Sequence, residues 1–85
     1  MTPAEIEQAV FELEEVRIVI RAPIKARLGD FSYSRQAANN ASIAEWLNQR
    51  IKPLILDHSV VVVDGTGILR NGRTNMATLR QSYVR

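Results

Sequence analysis

Hydrophobic positions change their spacing several times along this chain, and each change predicts an element. Ile6, Val10 and Leu13 recur at helical spacing. Ahead of them Thr2-Pro3-Ala4-Glu5 reads as a helix start, with Thr2 as cap, Pro3 where no amide bond is lost and Glu5 closing a capping box. A helix is therefore predicted from Pro3 to about Glu14, its glutamates facing solvent. From Val16 the period falls to two. Val16, Ile18 and Ile20 alternate with Arg17, Val19 and Arg21, which predicts a strand with one apolar and one half-polar face, ended by Ala22-Pro23. Helical spacing returns after Ser42-Ile43-Ala44-Glu45, a second capping box, in Ile43, Trp46, Leu47, Ile51 and Leu54. Trp46 is the expected anchor of this helix, and Pro53 should end or kink it near Lys52, with a further turn through Ile55.

Val60, Val61, Val62 and Val63 follow without interruption. Such β-branched residues suit a pleated surface, and unbroken apolarity predicts a central strand covered on both faces. It stops at Asp64-Gly65-Thr66-Gly67, where glycines permit angles a strand does not use. Beyond it lie a short extended piece at Ile68-Leu69-Arg70 and a turn dipeptide, Asn71-Gly72. A last helix should be capped by Thr74, with Met76, Leu79 and Tyr83 on one side.

The order is α-β-loop-α-β-α, and the expected fold class is α+β or small α/β, a single domain over residues 1–85 with an irregular loop at about 24–41. The sheet should have two or three strands covered by helices. A helix between two strands predicts a parallel, right-handed crossover. Two strands rarely stand alone, so either Ile68–Arg70 adds a third or the sheet is completed by dimerisation. The predicted core is Ile6, Val10, Leu13, Val16, Ile18, Ile20, Trp46, Leu47, Ile51 and Val60–Val63.

Composition narrows the class without naming a function. At 85 residues with 46% apolar and 24% charged positions, this is an ordinary globular domain, able to form one modest core. It contains no cysteine, which excludes disulfides, thiolate nucleophiles and zinc–cysteine sites. No apolar run approaches the roughly 18 residues of a membrane span, and the acidic amphipathic start is unlike a signal or transit peptide. A cytoplasmic location is the default expectation. The formal charge of +2 conceals a polarity. Residues 1–16 carry Glu5, Glu7, Glu12, Glu14 and Glu15 without a base, and residues 68–85 carry Arg70, Arg73, Arg80 and Arg85 without an acid. The two ends either pair with one another or remain available to partners.

Tests for catalytic chemistry mostly fail. A strand ending in Asp-Gly-Thr resembles the haloacid dehalogenase phosphatases, but Val62 stands where their nucleophilic carboxylate belongs. Aspartic proteases use Asp-Thr-Gly, and here Gly65 separates Asp64 from Thr66. Gly65 and Gly67 lack the third glycine or following lysine of a phosphate loop. His58 is the single histidine, and no spacing joins it to Asp57 or Asp64 as a metal set. No catalytic, metal or cofactor site is expected, and the chain is read as non-enzymatic, with Asp64 capping a turn.

The binding candidates fall in two groups. Phe31 and Tyr33 lie among Lys25, Arg27 and Arg35, an interleaving seen in single-stranded nucleic-acid binders, although both rings more simply pack the loop onto the core. The second group is Arg70, Arg73, Arg80 and Arg85. The leading expectation is a small interaction protein that self-associates and binds a protein partner, without a membrane or small-molecule cofactor. The alternative is a nucleic-acid binder using the C-terminal arginines; a phosphate-handling enzyme at Asp64 ranks last.

Overall fold

A computed structural model of the chain describes residues 1–83 and has an α+β fold. Helix α1 spans Pro3–Glu14, strand β1 Arg17–Arg21, and a helical segment follows in three pieces: α2 (Ile43–Trp46), a π-helical turn at Leu47–Ile51, and α3 (Lys52–Ile55). Strand β2 is Ser59–Val63 and α4 is Met76–Gln81. Both capping boxes form. The Thr2 and Ser42 side chains accept from the Glu5 and Glu45 amides, while the two carboxylates accept from the cap amides, which holds both acids below their ordinary pKa. The cap of α4 is Asn75 and not Thr74, its side chain accepting from the Thr78 amide. Pro53 has no amide to offer the Gln49 carbonyl, which accepts from the Tyr33 hydroxyl at 3.5 Å.

β1 and β2 pair antiparallel, from Arg17 opposite Val63 to Arg21 opposite Ser59. This corrects the parallel crossover. The long loop is itself a traverse of the molecule: its Ala37 amide reaches the Glu14 carboxylate beside the start of β1, 2.9 Å away. The helical segment then returns to the far end, where the Gly29 amide bonds the Leu54 carbonyl. One traverse out and one back place β2 head-to-tail against β1. The last reversal is made at Ile55–His58, where Leu56 takes φ 56° and ψ −118° and the His58 amide bonds the Ile55 carbonyl.

The valine run packs against the core on one face only. Ile18, Ile20 and Val62 are buried with Ile6, Val10, Val16, Phe31, Ile43, Trp46, Ile51, Ile55, Met76 and Leu79, while Val60, Leu13 and Leu47 pack against that core half-buried. Val61 and Val63 point the other way and are only half-buried. All the helices that bury apolar side chains contribute them to the inner side, so an unbroken apolar strand here does not mean two covered faces. Ile68–Arg70 does not become a third strand. It folds back along the end of β2 as a single bridge, Val63 to Leu69, with the Arg70 amide on the Val62 carbonyl and the Asp64 amide on the Ile68 carbonyl.

Candidate interaction surface

The outer face of the sheet is built by strand alternation. Arg17, Val19 and Arg21 from β1 share it with Ser59, Val61 and Val63 from β2, and the bridge to Val63 brings Leu69 alongside. Val19 is 44% exposed and Leu69 56%. Beside β1 runs α1, whose Ala4, Gln8 and Phe11 form the wall of a groove with Ile18, Val19 and Val63 as its floor. Its volume is about 630 Å³. Phe11 is 42% exposed, with the Arg17 guanidinium 5.0 Å from its ring centre. The Glu7 carboxylate accepts from the Ile20 amide at 2.9 Å and fixes α1 against the open side of β1.

At the end of this face Tyr83 closes the sheet. Its hydroxyl accepts from the Arg17 amide at 3.0 Å and donates to the Val63 carbonyl. Burial, first among the causes, pushes the Tyr83 phenol above its ordinary pKa.

The arginines nominated from sequence are not gathered on one surface. Arg80 is engaged inside the molecule: its Nε donates to the Glu14 carbonyl at 2.9 Å, and its other nitrogens to the Glu14 carboxylate, the Ala37 carbonyl and the Asn39 side chain. Arg70 pairs with Asp64 at 2.7 Å. Arg73 is exposed at the Asn71–Thr74 turn, and Arg85 lies outside the described residues. Lys25 and Arg27 are exposed at a shallow recess with Met1, Thr2 and Glu5. Arg35 is exposed, and its carbonyl accepts from Arg50. Phe31 is buried, its ring 5.2 Å from that of Tyr33, and the Arg50 guanidinium lies 4.3 Å over the half-exposed Tyr33. The loop rings thus serve packing more than an open stacking platform.

Asp64 is buried, with one oxygen taking the Thr66 amide, Thr66 hydroxyl and Ile68 amide at 2.6 to 2.9 Å, and the other taking Arg70. The Thr66 hydroxyl foremost, with those amides and Arg70, holds the carboxyl well below the usual carboxylate range despite its burial. Gly67 takes φ 86°, and a Cβ on Gly65 would lie 1.9 Å from the Ser82 carbonyl oxygen, so both glycines are required by this turn.

Glu14, expected to face solvent with the other glutamates of α1, does not. It is fully buried, accepting from Ala37 and Arg80 on one oxygen and from Trp46 Nε1 and Arg50 on the other, at 2.8 to 3.0 Å. The spacing Ile6, Val10, Glu14 places it on the apolar stripe of α1, which is the signal that could have found it.

Among the described residues, no helix is long and apolar enough to cross a membrane and no group of three or more His, Cys, Asp or Glu is placed to hold a metal ion. Comparisons with protein-family models, curated proteins and solved structures find no match to this chain.

Proposed function

We propose that this chain is a small, non-enzymatic interaction protein that self-associates and acts by binding a protein partner. The observation that carries the reading is the outer sheet face, where exposed Phe11, Val19 and Leu69 and half-buried Val61 and Val63 form an apolar strip that lies outside the core formed by the described residues. Contiguous apolar surface rimmed by polar groups marks interaction sites in soluble proteins, and a sheet of two strands gains most from a covering partner. One contact between the chain's two charged ends supports the same reading. Glu14 and Arg80 meet at 3.0 Å, and Arg70 pairs locally with Asp64, so two of the four C-terminal arginines already have carboxylate partners.

Light scattering and sedimentation of the purified chain test this reading. A dimer with a dissociation constant of about 10 µM or tighter is expected. A species that stays monomeric at about 100 µM, and binds duplex or single-stranded nucleic acid at nanomolar level in physiological salt, would move the function to nucleic-acid recognition.

A further inference from the structure

We propose that a second copy of this chain docks in the groove between α1 and β1, about a two-fold axis running along that groove, with Glu12 and Glu5 of each copy meeting Arg17 and Arg21 of the other. The proposal rests on the self-association reading and names its surface.

Charge arrangement selects this occupant. On the α1 side, exposed Glu5 and Glu12 stand two helical turns apart, three residues before and four after the groove-lining Gln8, and Glu5 also borders the recess that holds Lys25 and Arg27. On the β1 side, Arg17 and Arg21 project from the outer face, separated by Val19. None of the four has an ion-pair partner among the described residues. The Glu5 carboxylate makes its capping bond with one oxygen, Oε1, to the Thr2 amide. Seven helical residues rise about 10.5 Å, and four strand residues about 13 Å. The acid pair and the base pair are therefore nearly equally spaced, within the reach of long side chains.

Their levels along the groove match as well. α1 and β1 run in opposite directions across the tight turn at Glu15–Val16, so Glu12 lies at the level of Arg17. The contact of Glu7 with the Ile20 amide fixes the other end, which sets Glu5 near the level of Arg21. A two-fold rotation about the groove axis preserves level and exchanges sides. It therefore brings acids onto bases at both positions, while Phe11 on the α1 wall faces the sheet side of the other copy at the level of Arg17 and Val63, and Val19 lies between the two charged levels. A two-fold axis crossing the groove would instead face acids with acids, and is disfavoured.

Sedimentation equilibrium on five chains tests this, with circular dichroism as the check on folding. Glu12→Arg alone and Arg17→Glu alone each place like charges face to face and should weaken the dimer about tenfold or more. The two combined in one chain restore opposite charges, and the dissociation constant should return to within about threefold of wild type. Should Arg17→Glu disturb the fold, Val19→Glu provides a second probe in the middle of the strip and should leave a folded monomer. A wild-type dimer that persists undiminished in Glu12→Arg and Val19→Glu would place the interface elsewhere, overturning this proposal while self-association stands. Weakening in both single variants without recovery in the double would likewise reject the charge-matched two-fold arrangement. A wild type that is monomeric at about 100 µM overturns both readings together.

Discussion

Two buried carboxylates organise this molecule by opposite means. Asp64 is satisfied within its own neighbourhood, taking bonds from Thr66, Ile68 and Arg70, the furthest six residues along the chain. Glu14 is satisfied across the molecule: from Ala37 in the loop, Trp46 and Arg50 in the helical segment and Arg80 in α4, up to 66 residues away. The first carboxylate shapes a turn, whereas the second joins the two ends of the chain to its middle. Their worth to the fold should differ accordingly.

The largest effect is expected from Glu14→Ala. Arg50 and Arg80, with side chains only 19% and 12% exposed, would lose their shared carboxylate, and the Trp46 and Ala37 N–H groups would lose their acceptor. Removing one member of a buried pair costs about 3–5 kcal/mol. Urea denaturation should show that loss, large against the stability of a domain this small. An unchanged midpoint would mean that water replaces the carboxylate without cost.

How far each centre was legible in the sequence follows from the same difference. Asp-Gly-Thr-Gly after a valine run announces a turn, because the donors and the acceptor lie side by side in the chain. The capping boxes at Thr2 and Ser42 were legible for the same reason, as was the general order of elements. Glu14 looked like one more exposed glutamate, since its partners are brought to it by the loop and the helical segment. The antiparallel sheet escaped for a related cause: residues 22–42 have no regular period, and whether such a segment crosses the molecule depends on contacts such as Phe31 and Ala37. The uncovered outer face could not be read from Val60–Val63 alone, because burial of a strand's second face depends on where the helices pack.

The basic end sharpens the comparison next. Arg80→Ala should cost about 2–4 kcal/mol, since it leaves the buried Glu14 with fewer donors and removes bonds to Ala37 and Asn39. Arg73→Ala, at an exposed turn where only the backbone amide is engaged, should stay within about 0.5 kcal/mol. Thermal unfolding of the two variants side by side checks this. Equal effects would mean that the internal role given to Arg80 is mistaken.

For the local centre, Asp64→Asn should cost about 2 kcal/mol, because a neutral amide accepts weakly and presents N–H groups to donors. Its pH signature has a definite sign. A folded-state pKa below the unfolded one makes the contribution of Asp64 complete above an unfolded carboxylate value of about 4, and lost progressively as pH falls below it. Wild type and Asp64→Asn should therefore converge in stability in acid and diverge towards neutrality. A constant difference between pH about 2 and 7 would show that its charge is not what stabilises the turn.

The smallest effect concerns a turn with no such side-chain support. Ile55–His58 reverses the chain before β2, and its corner residue, Leu56, has φ 56° and ψ −118°, the first central position of a type II′ turn. That region suits glycine, and a leucine Cβ there costs on the order of 1–3 kcal/mol. At 76% exposure, Leu56 recovers little of this by packing. Leu56→Gly relieves the strain but loosens the unfolded chain, an entropic cost of about 0.5–1 kcal/mol. The net expectation is a gain of about 1 kcal/mol, seen as a higher denaturation midpoint with an unchanged urea slope. Leu56→Ala keeps the Cβ and should show no comparable gain. If alanine stabilises as much as glycine, the exposed leucine side chain and not the backbone angle was the burden; if neither does, the turn is unstrained with leucine in place.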